Sequence, residues 1–163
     1  NFRGSWDRLM NLNVSAVLEL KGAPLSERFV CLERRIGDQI ILRTSSGSQS
    51  KSIDQIKALW SGRAILAYRP LQTDKRALRP GVSDSVIREI RKQLGLNDTE
   101  GDPTRFDEKL RSRIQVFQRE IGLRPDGLIG TLTLIGLEGH GSQSGVPRLV
   151  SPSRSEDLHV NHP

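Results

Sequence analysis

The sequence predicts an α+β protein: a small, mostly antiparallel sheet with helices over residues 1–70, followed by a three-helix unit over residues 83–138. Three observations lead there. Apolar residues alternate with a period of two in parts of the first seventy residues and recur with a period of 3.6 from Ser83 onward. Residues 71–82, edged by Pro70, Pro80 and Gly81 and poor in apolar side chains, separate the two patterns as a linker. Two helix endings, Leu94-Gly95-Leu96 and Ile121-Gly122-Leu123, are near copies and hint at a repeated helix-turn unit. A chain of 163 residues suits one domain or two small ones at roughly 150 residues per domain, and 35% hydrophobic residues support a modest core.

Taken in order, Ser5 caps a short helix with Trp6, Leu9 and Met10 on one side. Val14, Ala16, Leu18 and Leu20 share one face of a strand. Phe29–Ile36 and Gln39–Thr44 flank Gly37-Asp38, a two-residue hairpin signal, because glycine takes positive φ without penalty. Residues 44–50 read as a loop. Ser52 and Gln55 form a capping box, in which hydroxyl and amide satisfy each other's helix-end donors. The helix it opens is expected to bury Ile53, Ile56 and Leu59, with Trp60. Ser61-Gly62 breaks it, and Ala64–Tyr68 is a last strand.

In the second half Ser83 caps a helix presenting Val86, Ile87, Ile90 and Leu94. Asp107 opens another, with Leu110, Ile114, Phe117 and Ile121 at i, i+4, i+7 and i+11. Each is closed by a glycine and a following leucine, the sequence form of a Schellman stop. The turn Pro125-Asp126-Gly127 leads to a third helix over Thr131–Leu137. Residues 139–163 are rich in Gly, Ser and Pro and read as a tail whose one apolar cluster, Val146–Val150, is the part expected to dock.

Composition excludes several functions. No apolar run approaches the roughly 20 residues that span a bilayer, and no signal peptide heads the sequence, so a soluble fragment is expected, one that a membrane anchor could precede in a longer parent. The single cysteine, Cys31, rules out a disulfide framework. The net charge of +6 suggests nucleic acid, but residues 1–70 hold 11 basic and 6 acidic side chains, whereas the helical segment 83–138 holds 9 and 10. Arg111, Arg113 and Arg119 are offset there by Asp107, Glu108 and Glu120, with no aromatic residue free to stack on bases, so a nucleic-acid partner is not expected.

Phe117-Gln118, Gly122-Leu123, Asp126-Gly127, Gly130 and Thr133 keep fixed offsets from one helix. Gly122 ends the helix, Asp126-Gly127 builds a turn whose carboxylate bonds its own backbone, and Gly130 permits close approach where the third helix starts. With Phe117, these glycines read as fold-maintaining. Over about 55 residues, 80–137, this pattern resembles the type 1 peptidoglycan-binding domain family. The resemblance implies a shallow groove between the end of the second helix and the start of the third. Gln118, Asp126 and Thr133 would offer polar contacts there, and Arg119 or Arg124 would face stem-peptide carboxylates. Gln118 and Asp126 also fit a second role, bracing the helix end and turn.

The first seventy residues resemble the C-terminal half of a C39-type cysteine peptidase fold, carried by Val14–Leu20, Arg28–Leu32, the Gly37-Asp38 hairpin, Gly47 and Ile53–Leu66. Arg28 stands where that family's catalytic histidine enters, and Arg43 or Thr44 stands near its aspartate. Cys31, mid-strand between Val30 and Leu32 and expected to be buried, has no base beside it, so no protease is expected. The two units in this order resemble the periplasmic region of the GspA/ExeA-type ATPases of the type II (general) secretion pathway. That resemblance implies non-catalytic peptidoglycan binding that helps a secretin assemble, a GspB-type partner, oligomerisation of the parent, and a location as the exported part of an inner-membrane protein. The family's ATP chemistry does not follow, because no Gly-x-x-x-x-Gly-Lys-[Ser/Thr] loop is present. The alternative is a cell-wall hydrolase or peptidase accessory domain with residual activity. Its only candidate constellation, His140 with His159 and His162, lies in the tail with nothing to fix it, so neither metal nor cofactor is expected.

Overall fold

The computed structural model describes residues 1–69, 77–96, 101–141 and 147–150. Its first half is a six-stranded sheet in which every neighbouring pair runs antiparallel, in the order β1-β6-β2-β3-β4-β5. The strands are β1 (Phe2–Arg3), β2 (Ala16–Leu20), β3 (Phe29–Ile36), β4 (Gln39–Thr44), β5 (Gly47–Ser52) and β6 (Trp60–Leu66). Cross-strand pairing puts Leu18 beside Val30 and Ala64, and Leu32 beside Leu42, so one apolar face runs across the sheet. Two short helices accompany it, α1 (Trp6–Asn11) and α2 (Ile53–Leu59). Trp6 meets Trp60 edge-on at 5.5 Å between ring centroids, and Phe2 stacks on Trp60 at 6.5 Å.

Ser5 and the Ser52–Gln55 box cap α1 and α2 as their sequences require. Three local expectations differ. Residues 47–52 form the edge strand β5 rather than a loop, because their backbone completes the ladder to β4 although no side chain there is apolar. Ser61-Gly62 is not what ends α2, which already stops at Leu59. β6 starts directly at Trp60, and Gly62 takes φ +85° near the register shift between Leu18 and Leu20. Leu59 is half exposed at the end of α2, and Trp60 takes the buried place.

The second half contains α3 (Ser85–Gln93), α4 (Glu108–Glu120) and α5 (Thr131–His140). Asp84 rather than Ser83 caps α3, accepting from Val86 N, while Ser83 bridges to Arg105 through the backbone. Leu110, Ile114, Phe117 and Ile121 are buried along α4. α5 extends past Leu137 through Gly139, a residue assigned to the tail from composition. A Cβ on Gly139 would lie 2.1 Å from the Leu12 carbonyl oxygen, so its missing side chain lets α5 press against the end of α1.

Two further segments are drawn into the fold from the predicted linker and tail. Leu78 is buried and exchanges two backbone hydrogen bonds with Ile129, both 3.0 Å. Pro147–Val150 returns to the sheet side. Ser15 N donates to Pro147 O at 3.2 Å, Arg35 N donates to Leu149 O at 2.7 Å, and Leu149 is buried. Asn13, at φ +55°, ties these parts together: its amide donates to Gly139 O and Val150 O, and its side-chain oxygen accepts from Val150 N. Buried residues of both halves form one apolar cluster.

Candidate functional site

The end of α4 governs the turn before α5. Leu123 N donates to Gln118 O at 2.7 Å and Gly122 N to Arg119 O at 3.1 Å, the two bonds of a Schellman stop, with Gly122 at φ +71°. The end of α3 repeats this geometry: Leu96 N to Arg91 O at 2.8 Å, Gly95 N to Lys92 O at 3.1 Å, and Gly95 at φ +73°. The similarity goes beyond the backbone. The residue four positions before each glycine is polar and buried, and each reaches an aspartate ahead of the next helix. Arg91 donates to Asp107, the cap of α4, at 3.0 Å, and Gln118 donates to Asp126 at 2.9 Å.

Gln118 is only 2% exposed and fully engaged. Its amide nitrogen approaches Asp126 Oδ1, Leu128 O and Thr133 Oγ1 within hydrogen-bonding distance, and its oxygen accepts from Gly127 N at 2.9 Å. Asp126 Oδ1 also accepts from Leu128 N at 2.9 Å, closing the turn on itself. Thr133 is 3% exposed, its hydroxyl turned toward Gln118 and Leu128 O. The groove expected between α4 and α5 is thus occupied by the protein's own side chains. Gln118 and Thr133 brace the turn from inside, which corrects their assignment as ligand contacts. A buried amide left without partners would cost more than a weak ligand returns, so the fold uses these groups internally.

Asp126, Arg119 and Arg124 are exposed, and the two guanidinium groups have no carboxylate partner among the described residues. Gly127 is buried at φ +71°, and a Cβ there would lie 2.7 Å from Arg111 Cγ, so the turn rests on the Arg111 stem. Gly130 opens α5 without a side-chain cap, and no atom lies within 4 Å of where its Cβ would stand, so the close approach expected there is not what it serves. Phe117 packs edge-on against the His140 ring at 6.0 Å. The arrangement is a rigid turn, held from within, that offers one carboxylate and two arginines on its outside. Bracing is one of the two roles the sequence offers for Gln118 and Asp126, whereas for Thr133 it offers only a polar ligand contact. The parallel Arg91–Asp107 pair was missed, although the repeated Leu-Gly-Leu and Ile-Gly-Leu endings marked its position.

Elsewhere the sequence candidates take structural places. Arg28 pairs with Glu19 at 2.7 Å and lies over the Phe29 ring. Cys31 sits half-buried on the outer face of the sheet opposite Val17 and Arg43, not in the core, and burial pushes its thiol up from the ordinary range. His140 Nε2 lies 2.8 Å from Asn11 O, while His159 and His162 fall outside the described residues. Among the described residues, no group of three His, Cys, Asp or Glu could hold a metal ion, and no helix is long and apolar enough to cross a membrane.

Comparison with known proteins finds a family to which the helical unit is similar. Residues 86–135, from α3 to α5, match the family described as "Putative peptidoglycan binding domain". The chain is also 30% identical over 95 residues to "General secretion pathway protein A" of Aeromonas hydrophila. That match takes in 56% of this chain and 17% of the relative, so the chain spans a small part of the curated protein's length. Among solved structures it is similar to a periplasmic domain of the EpsAB fusion protein of the Vibrio vulnificus type II secretion system. The TM-score is 0.53 at 24% identity, covering 87% of this chain and 63% of that one. At that identity the likeness is one of fold, and it is consistent with the α+β architecture described above.

Proposed function

We propose that the protein binds peptidoglycan non-catalytically through its helical unit. The observation that carries this reading is the coincidence of the family match over 86–135 with a turn that is braced inside and charged outside. Arg119 and Arg124 face stem-peptide carboxylates, and Asp126 faces amide, hydroxyl or ammonium groups of the polymer. Gln118 and Thr133 keep the turn in the conformation that presents them. Exposed contacts of this kind contribute about 0.5–1.5 kcal/mol each, so one copy binds weakly and gains from repetition along a polymer or oligomerisation of the parent.

The similarity to a general secretion protein A supports a wider role: anchoring a type II secretion assembly factor to the wall in the periplasm. There it would aid secretin assembly together with a GspB-type partner, as part of an inner-membrane protein. In this reading the helical unit does the binding, and the sheet, packed with it around one apolar cluster, is a peptidase-like remnant without catalysis.

Co-sedimentation of the full chain with purified sacculi tests the proposal. The chain should pellet, and Arg119→Glu combined with Arg124→Glu should reduce pelleting while leaving the thermal transition in place. Undiminished pelleting of that double variant would remove this turn as the contact.

A further inference from the structure

The outward groups of the turn decide which part of a wall polymer it can hold. Four arginines stand on α4 and the turn after it. Arg111 pairs with Glu108 at 3.3 Å and Arg113 with Glu120 at 3.7 Å, whereas the exposed Arg119 and Arg124 have no carboxylate partner among the described residues. These two flank the Schellman stop, Arg119 three residues before Gly122 and Arg124 two after it. The backbone that carries them is held in place, since Gly122 and Gly127 both sit at φ +71° and the Gln118 oxygen accepts from Gly127 N. A guanidinium is a planar fork of donors that keeps its charge, and its best partner is a carboxylate, which takes two parallel hydrogen bonds. Asp126, the acid of the turn itself, already gives Oδ1 to Gln118 and Leu128 N.

The same unit has little with which to hold sugar. Its aromatic residues are Phe106 and Phe117, 1% and 6% exposed, so neither ring offers a face on which a pyranose can lie. Gln118 and Thr133 fill the cleft between α4 and α5, where hydroxyl and acetamido groups would otherwise find amide partners. A site for a neutral ligand needs apolar or aromatic walls with a few convergent polar groups. Here the polar groups turn inward, and the outward ones are cations.

We infer that the turn recognises free carboxylates of uncross-linked stem peptides and does not read the glycan. This deepens the wall-binding reading and rests on it. In a cross-linked wall the donor stem ends in an amide to its neighbour instead of a carboxylate, and amidation of a stem carboxyl group removes its charge. Both withdraw the group that Arg119 and Arg124 meet. The turn therefore directs the chain to loosely cross-linked, unamidated stretches of wall.

The test pellets the full chain with three preparations from one batch of sacculi. One is untreated. One is partly opened by a DD-endopeptidase, which hydrolyses cross-link amides to carboxylates and amines. The last is treated with carbodiimide and ammonia, which turns carboxylates into amides. Pelleting should rise on the opened sacculi and fall about tenfold on the amidated ones. Arg119→Glu combined with Arg124→Glu should pellet poorly on all three, leaving no difference for amidation to make. Arg34→Glu combined with Lys51→Glu alters net charge equally at exposed positions of the sheet and should follow wild type. Chitotetraose, a neutral glycan without peptide, should not compete. Equal pelleting on untreated and amidated sacculi overturns the inference while leaving wall binding in place, and so does competition by chitotetraose. A tenfold fall on amidation that persists in the Arg119/Arg124 variant, or poor pelleting of the Arg34/Lys51 variant, also overturns it, because overall charge then explains the binding. Failure of the wild-type chain to pellet with untreated sacculi overturns it together with the reading on which it rests.

Discussion

Gln118 holds Asp126 at 2.9 Å from a position 2% exposed, so the residue that shapes the outward turn is itself out of reach of solvent. The division of labour is clear: inside, one amide satisfies the turn's backbone and side chains; outside, the turn offers charge. Binding and folding variants should therefore separate by which side of the turn they touch.

Gln118→Ala removes the acceptor for Gly127 N and the donor for Asp126, Leu128 O and Thr133 at once. Leaving the buried Gly127 N and Thr133 hydroxyl short of a partner costs about 2–3 kcal/mol. Urea unfolding should show that loss in the midpoint.

Arg124→Ala behaves in the opposite way. The side chain is exposed and makes no ion pair among the described residues, so stability should stay within about 0.5 kcal/mol. Pelleting should fall by about two- to tenfold, and raising the salt concentration should narrow the gap between variant and wild type.

Gly139→Ala places a methyl group where the Leu12 carbonyl oxygen would be 2.1 Å away. Nothing flexible lies there to yield, since the neighbouring atoms belong to the Leu12–Asn13 backbone. A loss of about 3 kcal/mol, at the upper end of overpacking, is expected in equilibrium unfolding. Hydrogen exchange should quicken at Val150 N and around Asn13, reporting that α5 has moved off α1.

Glu138 supplies a pH dependence. It is 2% exposed, and burial pushes its carboxyl up from the ordinary range, opposed by the backbone and charge of Arg69 and the charge of Arg148. A raised acid is charged at greater cost in the folded chain than in the unfolded one. That penalty is complete above the folded value and disappears as pH falls to the unfolded value. Glu19 and Asp102 work the other way: Arg28 and Thr104, respectively, hold them low, so their contribution is lost as pH falls through their folded values. Replacing Glu138 by Gln should flatten the mildly acidic limb of the stability curve and leave the strongly acidic limb unchanged. A series of melting curves against pH reads both.

Much of this was legible from residue order. Period and capping located α1, α2, α4 and the hairpin of β3 and β4, because each rests on contacts within a few residues. Two kinds of feature were not. β5, with Ser48, Gln49, Ser50 and Lys51, carries no apolar signal and exists because β4 offers a ladder to complete. The burial of Leu78 depends on a partner far away in sequence, Ile129, and although the apolar cluster around Leu149 is expected to dock, its place beside Arg35 depends on a distant partner too. At the site, the motif located the turn but did not say which face of Gln118 and Thr133 would look outward. That follows from the buried donor the turn would otherwise leave without a partner, Gly127 N.

Because the chain leaves the sheet after β6 and comes back to it at Pro147–Val150, the helical trio is fastened at two places and locked a third time by Gly139 against Leu12. A load pulling on the turn at Asp126 would then reach the sheet through several parallel attachments, as in a bracket bolted at both ends. Such a mount resists twisting, and it fixes the direction in which the charged turn points relative to the sheet.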